Sequence, residues 1–432
     1  MPVLAVSRRS SKSIISLLVE LYALLCVVFL MQCPTWAAST EKVLHTFTSW
    51  RDGATPIGTL VFDNAGNLYG TTVAGGTPHC GPDDRGGCGT VFQLAPDPDG
   101  TWKEHVLYRF PAGADGAAPY GGVILDAAGN LYGTTAAGGN TENGGFGYGT
   151  AFELSPSGSG WTETLLHTFA VQSGDGESPV GPLTFDKSGN LYGTTYQGLN
   201  PCGYGTIFQL APNPSGGWTE NVLHCFSGAG SDGTYPDAGV IFDGAGNLYT
   251  PTYIGGTNDD GTLVELTLAR DKWAENILYD FGANSGGGPV PYSSLVVDSS
   301  GNLYGVTYGA VYELAPSEDG WTYTTIYKDK GGPHGIAPNN LIIDKAGNLY
   351  GTAEGGAGSN CHGGGCGAVF KLSHTKDGWH LNVLYNFPGG AAGGDPYGGM
   401  VMDQQGNLYG TTYDGGKEEC PGGCGVVFEI IP

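Results

Sequence analysis

The chain has 432 residues, with 78 Gly, 26 Pro and only 13% charged residues, a composition rich in turn formers that excludes long surface helices. Its formal net charge of −24 repels phosphate backbones and no basic stripe interrupts it, which excludes nucleic acid as a partner. The acidity points to a protein kept soluble outside the cell, with recruitment of cations or basic surfaces as the alternative.

At the N-terminus, Arg8, Arg9 and Lys12 precede an apolar run from about Ile14 to Met31, and Thr35-Trp36-Ala37 ends on a small residue. That order predicts a secretory signal over residues 1–37, cleaved after Ala37, and hence secretion or residence in the cell envelope. The run is long and contains Glu20, so an uncleaved N-terminal membrane anchor stands as the alternative. Gln32 before Cys33 makes lipid attachment there a weaker reading. After cleavage no membrane association is expected, and residues 38–432 are expected to form one domain, a monomer.

The first strand predicted in the mature chain is "EKVLHTF" (41–47), which stands alone. Beyond it the chain repeats. Gly-Asn-Leu-Tyr places an Asn at 67, 130, 190, 247, 302, 348 and 407, spaced 46 to 63 residues apart, and such a period marks a repeat architecture. Each period carries four strand candidates. In the second they are "GGVILD" (121–126), "NLYGTT" (130–135), "GTAFEL" (149–154) and "ETLLHTF" (163–169), here strands a to d, separated by Gly, Pro, Asn and Ser.

Four-stranded units repeated about an axis make a β-propeller. Strand c occurs seven times and the chain stops just after the last, so the lone N-terminal strand, about residues 41–50, is predicted to supply the outer strand of the last blade. Trp102, Trp161, Trp218, Trp273, Trp321 and Trp379 each lie between strands c and d, and a seventh would fall where the chain is broken. The predicted fold is therefore an all-β, seven-bladed propeller closed by its N-terminal strand. Asp63, Asp126, Asp186, Asp243, Asp298, Asp344 and Asp403 each open the a-to-b turn, and one per blade is what a structural turn requires rather than a ring of cation ligands.

The unit "DGxxP…D-x-x-GNLYGTT…GG…GTVFxL…G-W…VLYxF" resembles the GloVer tandem repeat of exported, choice-of-anchor bacterial proteins, over about residues 41–432. The resemblance implies export and a tandem array of repeats, and it carries no activity to transfer. Relatives of that kind bear C-terminal anchoring segments; none is recognised before Pro432, so location is expected to rest on secretion or on the N-terminal segment.

In a propeller the d-to-a and b-to-c loops share one face, and here they are the varied ones, where binding is expected. Two sets of residues stand out there. Asp52, Asp115, Asp175 and Asp232 begin Asp-Gly-x-x-Pro in four d-to-a loops, with His334 at the matching place in another; they either initiate turns or bind cations or sugar hydroxyls. Tyr196, Tyr253, Tyr308 and Tyr413 follow strand b at one equivalent position, held elsewhere by Val73, Ala136 and Glu354; they either offer flat amphipathic surfaces or pack between blades.

Eight cysteines remain after cleavage. Cys80 with Cys88, Cys361 with Cys366 and Cys420 with Cys424 bracket Gly-rich b-to-c loops, while Cys202 and Cys225 share a blade, and an even count in an exported protein predicts disulfides. Zinc on Cys361-His362 and Cys366 is the alternative, but that loop contains no second pair, so no metal site is assigned. No cofactor is assigned either, with calcium left open for the acidic loops. His45, His167 and His224 share a strand-d position with Tyr108, Tyr279, Tyr327 and Tyr385, which points to packing.

No Gly-x-Ser-x-Gly elbow, His-Glu-x-x-His pair or phosphate loop occurs. The expected function is thus a non-enzymatic binding or interaction module for a glycan or an extracellular or cell-envelope protein. A polysaccharide hydrolase or lyase using carboxylates on the loop face is the alternative, since such a pair needs no sequence motif. A structural surface protein is a third reading.

Overall fold

In the computed structural model the described residues form seven four-stranded antiparallel sheets and two short two-stranded ones, Gly176–Glu177 with Gln197–Gly198 and Gly233–Thr234 with Ile254–Gly255. The structure describes residues 39–432 apart from 49–50, 78–85, 140–146, 171–172, 271, 283–289, 330–336, 356–360, 362–364, 418–419 and 421. The predicted signal, residues 1–37, lies outside the described residues, as do Cys80, His334 and His362.

Blade 2 shows the pattern, with strand a at Val123–Leu125, b at Leu131–Thr135, c at Thr150–Ser157 and d at Gly160–Thr168, paired in that order. Blade 1 runs from Val61 to Arg109, blade 3 from Thr184 to Cys225, blade 4 from Ile241 to Asp280, blade 5 from Val296 to Lys328 and blade 6 from Ala337 to Asn386. Blade 7 combines Val401–Met402, Leu408–Thr412 and Val426–Ile431 with Thr40–Thr46 from the other end of the chain. The two terminal strands pair from Thr40 with Ile431 to Thr46 with Val426, so the ring closes as the strand count predicted. The only helical pieces among the described residues are the single turns Gly113–Asp115 and Gly390–Ala392.

Every residue of the Gly-Asn-Leu-Tyr-Gly-Thr-Thr motif has a structural task, which blades 1 and 2 illustrate. Asp126 accepts hydrogen bonds from the backbone N–H of Ala128 and of Asn130, both at 2.8 Å, from Asn130 Nδ2 at 2.9 Å and from Tyr132 OH at 3.2 Å. Gly129, at φ +89°, turns the chain where a side chain would be strained. Leu131 is fully buried. The ring of Tyr132 lies edge-on to Trp218 of blade 3, with centroids 6.1 Å apart, and Tyr69 of blade 1 meets Trp161 of blade 2 in the same way. A Cβ on Gly70 would sit 2.7 Å from both Phe92 and Leu60, so only Gly leaves room for the strand-c ring. Thr71 Oγ1 donates to the carbonyl of Pro119 in the next blade at 2.9 Å, and Thr72 Oγ1 lies 2.8 Å from Thr90 Oγ1 on strand c.

The cores accordingly lie between blades rather than within them. One cluster joins Tyr132, Leu166 and Phe169 of blade 2 to Leu183, Leu191 and Phe208 of blade 3. The strand-d partner also carries a register shift in every blade, as at Ala151/Phe152 and Ile207/Phe208, a bulge that adds twist at the outer edge.

Partial burial raises the Asp126 carboxyl, but the hydrogen bonds from Asn130, Ala128 and Tyr132 outweigh it and hold the group below the usual carboxylate range; Asp63, Asp186, Asp243 and Asp344 behave alike. A depressed folded pKa contributes stability above the unfolded value near 3.9 that is lost as pH falls through the folded one, so acid unfolding is expected below about pH 4. Asp126→Ala should cost about 1–2 kcal/mol in urea denaturation at pH 7, and an unchanged midpoint would show that the turn bonds contribute nothing.

Candidate functional site

A Pro lies just before strand a in every blade except blade 6, where it is the second residue of the strand, and the residues that follow it border a cavity of about 280 Å³ at the centre of the ring. Ile57, Tyr120, Val180, Asp237, Tyr292 and Tyr397 each follow their Pro directly, and blade 6 contributes Asn339 after Pro338. Neighbouring segments touch backbone to backbone. A Cβ on Gly58 would fall 2.6 Å from the Gly122 Cα, and one on Gly181 would fall 2.7 Å from the Ala238 carbonyl carbon. This glycine collar keeps the opening narrow and leaves one side chain per blade free to differ.

The wall formed by blades 5 to 7 is braced by hydrogen bonds. Tyr292 OH donates to Asn339 Oδ1 at 3.2 Å and to the Pro338 carbonyl, Asn339 Nδ2 donates to the Pro396 carbonyl at 3.2 Å, and Asn340 Nδ2 donates to the Tyr397 carbonyl at 2.9 Å. Tyr120 and Tyr397 remain 39% and 50% exposed, so their rings are open to a ligand. Asp237 is half-buried at the cavity wall, its Oδ1 without a hydrogen-bond partner. Burial pushes its carboxyl up to about 7, against the backbone hydrogen bonds that favour the charged form.

None of the four tyrosines singled out after strand b lines the cavity, but two of them, Tyr308 and Tyr413, meet tyrosines that do. Tyr308 packs on Tyr292 with centroids 4.8 Å apart, Tyr413 approaches Tyr397 at 6.3 Å, and Tyr196 stacks on Tyr235 at 4.9 Å. Tyr253 joins the group as a neighbour of Tyr308. Tyr308 and Tyr413 are exposed, whereas Tyr196 and Tyr253 are half-buried. Glu354, in the same slot of blade 6, faces the Tyr397 phenol, and its charge adds to burial in raising that phenol.

The Asp-Gly carboxylates lie elsewhere. None of Asp52, Asp115, Asp175 and Asp232 lines the cavity. Asp52 accepts hydrogen bonds from Thr48 N and Oγ1, both at 2.9 Å, and Asp232 accepts from Ser227 N at 2.7 Å, so both close turns. Each also faces the strand-d histidine: His45 Nε2 lies 3.4 Å from Asp52, His167 Nε2 3.3 Å from Asp175 and His224 Nε2 3.6 Å from Asp232. Packing alone therefore does not account for these histidines. Each does lie edge-on to a buried Phe, as His167 does to Phe169 at 4.7 Å, but its outer nitrogen is aimed at carboxylates. Asp115 bears on Glu163, whose carboxyl burial and that neighbouring charge push up to about 7.

The cavity residues themselves were missed in the sequence, although a signal existed. Aligned on the loop proline, the following position changes from Ile to Tyr, Val and Asp inside an otherwise regular repeat.

Three disulfides join described residues as the spacing predicted: Cys202–Cys225, Cys361–Cys366 and Cys420–Cys424, with Cα separations of 4.6, 5.1 and 5.1 Å. Pairing of Cys361 with Cys366 removes the thiolates a zinc site there would need. Cys88 is also disulfide-bonded. Such bonds fit an oxidising compartment. No helix among the described residues is long and apolar enough to cross a membrane.

The Gloeobacter/Verrucomicrobia repeat model matches residues 27–146. None of the curated proteins compared with the chain matches it. Among solved structures, a candidate 6-phosphogluconolactonase from Bacteroides uniformis superposes with a TM-score of 0.50 at 12% identity, over 80% of this chain and 88% of that one. The extracellular domain of a candidate hybrid two-component system from B. thetaiotaomicron superposes with a TM-score of 0.53 at 10% identity, over 90% of this chain and 39% of that one. At such identities the likeness concerns the fold alone. The chain is a seven-bladed β-propeller whose residues 27–146 match the Gloeobacter/Verrucomicrobia repeat model.

Proposed function

We propose that this propeller is an exported binding module that takes a neutral glycan, one or two sugar rings of it, at the mouth of the central cavity. The observation that carries the reading is the cavity of about 280 Å³ in which Tyr120, Tyr292 and Tyr397 alternate with Asp237, Asn339 and Asn340. Sugar rings present C–H faces that pack on aromatic rings and hydroxyls that pair with amides and carboxyls, and this wall offers both. Ligand pockets run from roughly 300 to 1,000 Å³, so the volume suits a short segment rather than a whole chain. The net charge of −24 disfavours an acidic polymer, which leaves a neutral one. The disulfides are in keeping with secretion or the cell envelope as the place of action.

A second reading has one observation in its favour. A carboxyl held near 7 in the cavity wall has the protonation a general acid needs. Asp237 and Glu354 both bear on the Tyr292 phenol, which burial chiefly raises. A pair of this kind would cleave the glycan rather than hold it.

A screen of the purified protein against neutral and acidic polysaccharides separates these readings. Retention without product supports the binding module, and Tyr292→Ala and Tyr397→Ala should each weaken binding about 10-fold or more. Binding unaltered by both would remove the cavity from the assignment. Product formation, lost in Asp237→Asn while binding persists, would instead establish cleavage.

Asp237 also makes a stability prediction independent of any ligand. A carboxyl whose folded pKa is raised holds its proton in the folded state while the unfolded chain has released it, so stability falls as pH rises from about 4 to about 7. Asp237→Asn should match the wild type in urea at pH 4 and exceed it at pH 8. Equal stability at both values would mean that the carboxylate is not penalised there.

A further inference from the structure

Away from the cavity, the outer strands build a second kind of site, assembled from three residues that two adjacent blades supply. At the interface of blades 2 and 3, His167 Nε2 lies 3.3 Å from Asp175 Oδ1 and 3.7 Å from Glu220 Oε2. At the interface of blades 3 and 4, His224 Nε2 lies 3.6 Å from Asp232 Oδ1 and 3.5 Å from Glu275 Oε1. In each set one ligand atom from every residue falls within 4.8 Å of the others.

All four separations are longer than an ordinary N–H···O hydrogen bond of about 2.7–3.2 Å, and only the shortest, His167 Nε2 to Asp175 Oδ1, still makes a long hydrogen bond. They match what a shared metal imposes: bonds of about 2.0–2.2 Å from His nitrogen and carboxylate oxygen set tetrahedral neighbours roughly 3.4 Å apart. Hydrogen bonding within the sets is correspondingly incomplete. The Glu220 side chain is 5% exposed, yet its buried Oε1 has no hydrogen-bond partner. His224 Nε2 and Asp232 Oδ1 are likewise buried without one. Two carboxylates and a neutral imidazole carry a charge of −2, which a divalent cation neutralises without requiring a protonated histidine.

We propose that each of these two interfaces binds a first-row divalent cation of the zinc class, on His167, Asp175 and Glu220 in one and on His224, Asp232 and Glu275 in the other, so that the metal clamps adjacent blades. The ligand chemistry selects the class. Calcium takes six to eight oxygens, whereas an imidazole among two carboxylates suits zinc and its neighbours. Both sets have His at the strand-d slot, Asp at the start of the loop and Glu two residues after the Trp of the next blade. The blade 7 and blade 1 interface holds the same residue types in His45, Asp52 and Glu104, but their ligand atoms do not all converge. Between blades 4 and 5 the corresponding residues are Tyr279 and Tyr323, which stack with centroids 4.4 Å apart and hold no ligand pair.

The test is calorimetric titration of the chelator-treated full-length protein with Zn²⁺, repeated on Glu220→Gln, Glu275→Gln and the double variant. Two ions per wild-type chain are expected, one in each single variant and none in the double, with a Zn²⁺-dependent rise in Tm that the double variant lacks. Co²⁺ titration of the wild type gives a readout that needs no variant, since visible ligand-field bands of a tetrahedral nitrogen–oxygen site should appear and saturate at two equivalents. Stoichiometry unaltered by both substitutions would overturn the assignment, and so would a wild-type protein that neither takes up Zn²⁺ nor develops those bands.

Discussion

The hydrogen bonds that converge on one aspartate in each a-to-b turn are the constraint on which the ring depends. Asp63 accepts from the backbone of Ala65 and Asn67, from the Asn67 side chain and from the Tyr69 phenol. This set does more than close a hairpin. By holding the phenol it sets the direction of the ring, and that ring is the surface against which the tryptophan of the next blade packs. A local turn thereby determines a contact between blades, and five Tyr–Trp pairs of this kind recur around the ring. The same asparagine side chain bonds back to the aspartate in each of the seven turns, so the geometry is one solution used throughout.

The regularity of one layer allows another to vary. The first threonine of the motif reaches the carbonyl of the next blade's lead-in segment, as Thr71 does to Pro119 and Thr194 to Ala238. Backbone contacts of this kind, with the glycine collar, hold the segments in place whatever side chain follows the proline. Ile57, Tyr120, Val180, Asp237, Tyr292, Asn339 and Tyr397 can differ because the backbone frame is the same beneath each, although Tyr292 and Asn339 add side-chain hydrogen bonds of their own between blades 5 to 7. A rigid scaffold with one free position per blade is a general way to make a binding surface.

The ring is also asymmetric in its electrostatics. The interfaces of blade 7 with blade 1, of blades 1 to 4 and of blade 6 with blade 7, where Tyr385 donates to Glu41, place acidic residues together with His or Tyr, whereas blades 4 and 5 meet through stacked tyrosines and blades 5 and 6 through Leu381. Carboxylates gathered in a half-buried interface cost stability unless they meet a counter-charge or hold a proton. Burial raises the Glu220 carboxyl to about 7, with Asp175 adding to the rise and His167 opposing it, while Glu163 is raised without a histidine beside it. The repeat therefore offers one backbone frame for interfaces of quite different chemistry.

Much of the architecture was legible from residues alone. Blade number, strand order, closure by the N-terminal strand and three disulfides follow from counting motifs, because turn residues act over a few positions and a repeat states the same local rule seven times. The site was legible only in part. Tyr308 and Tyr413 stand at one visible slot, but Tyr120, Tyr292, Tyr397 and Asp237 belong to a different slot, and nothing local says that the two slots meet. The strand-d histidines looked like packing residues because the partners that change their meaning, such as Glu220 and Glu275, are supplied by the neighbouring blade. Sequence by itself determined what each blade is, since that rests on hydrogen bonds and strand pairing between residues near in the chain. Which side chains share a cavity or a charge set was decided only by closing the ring, since those contacts join blades and depend on the angle between them.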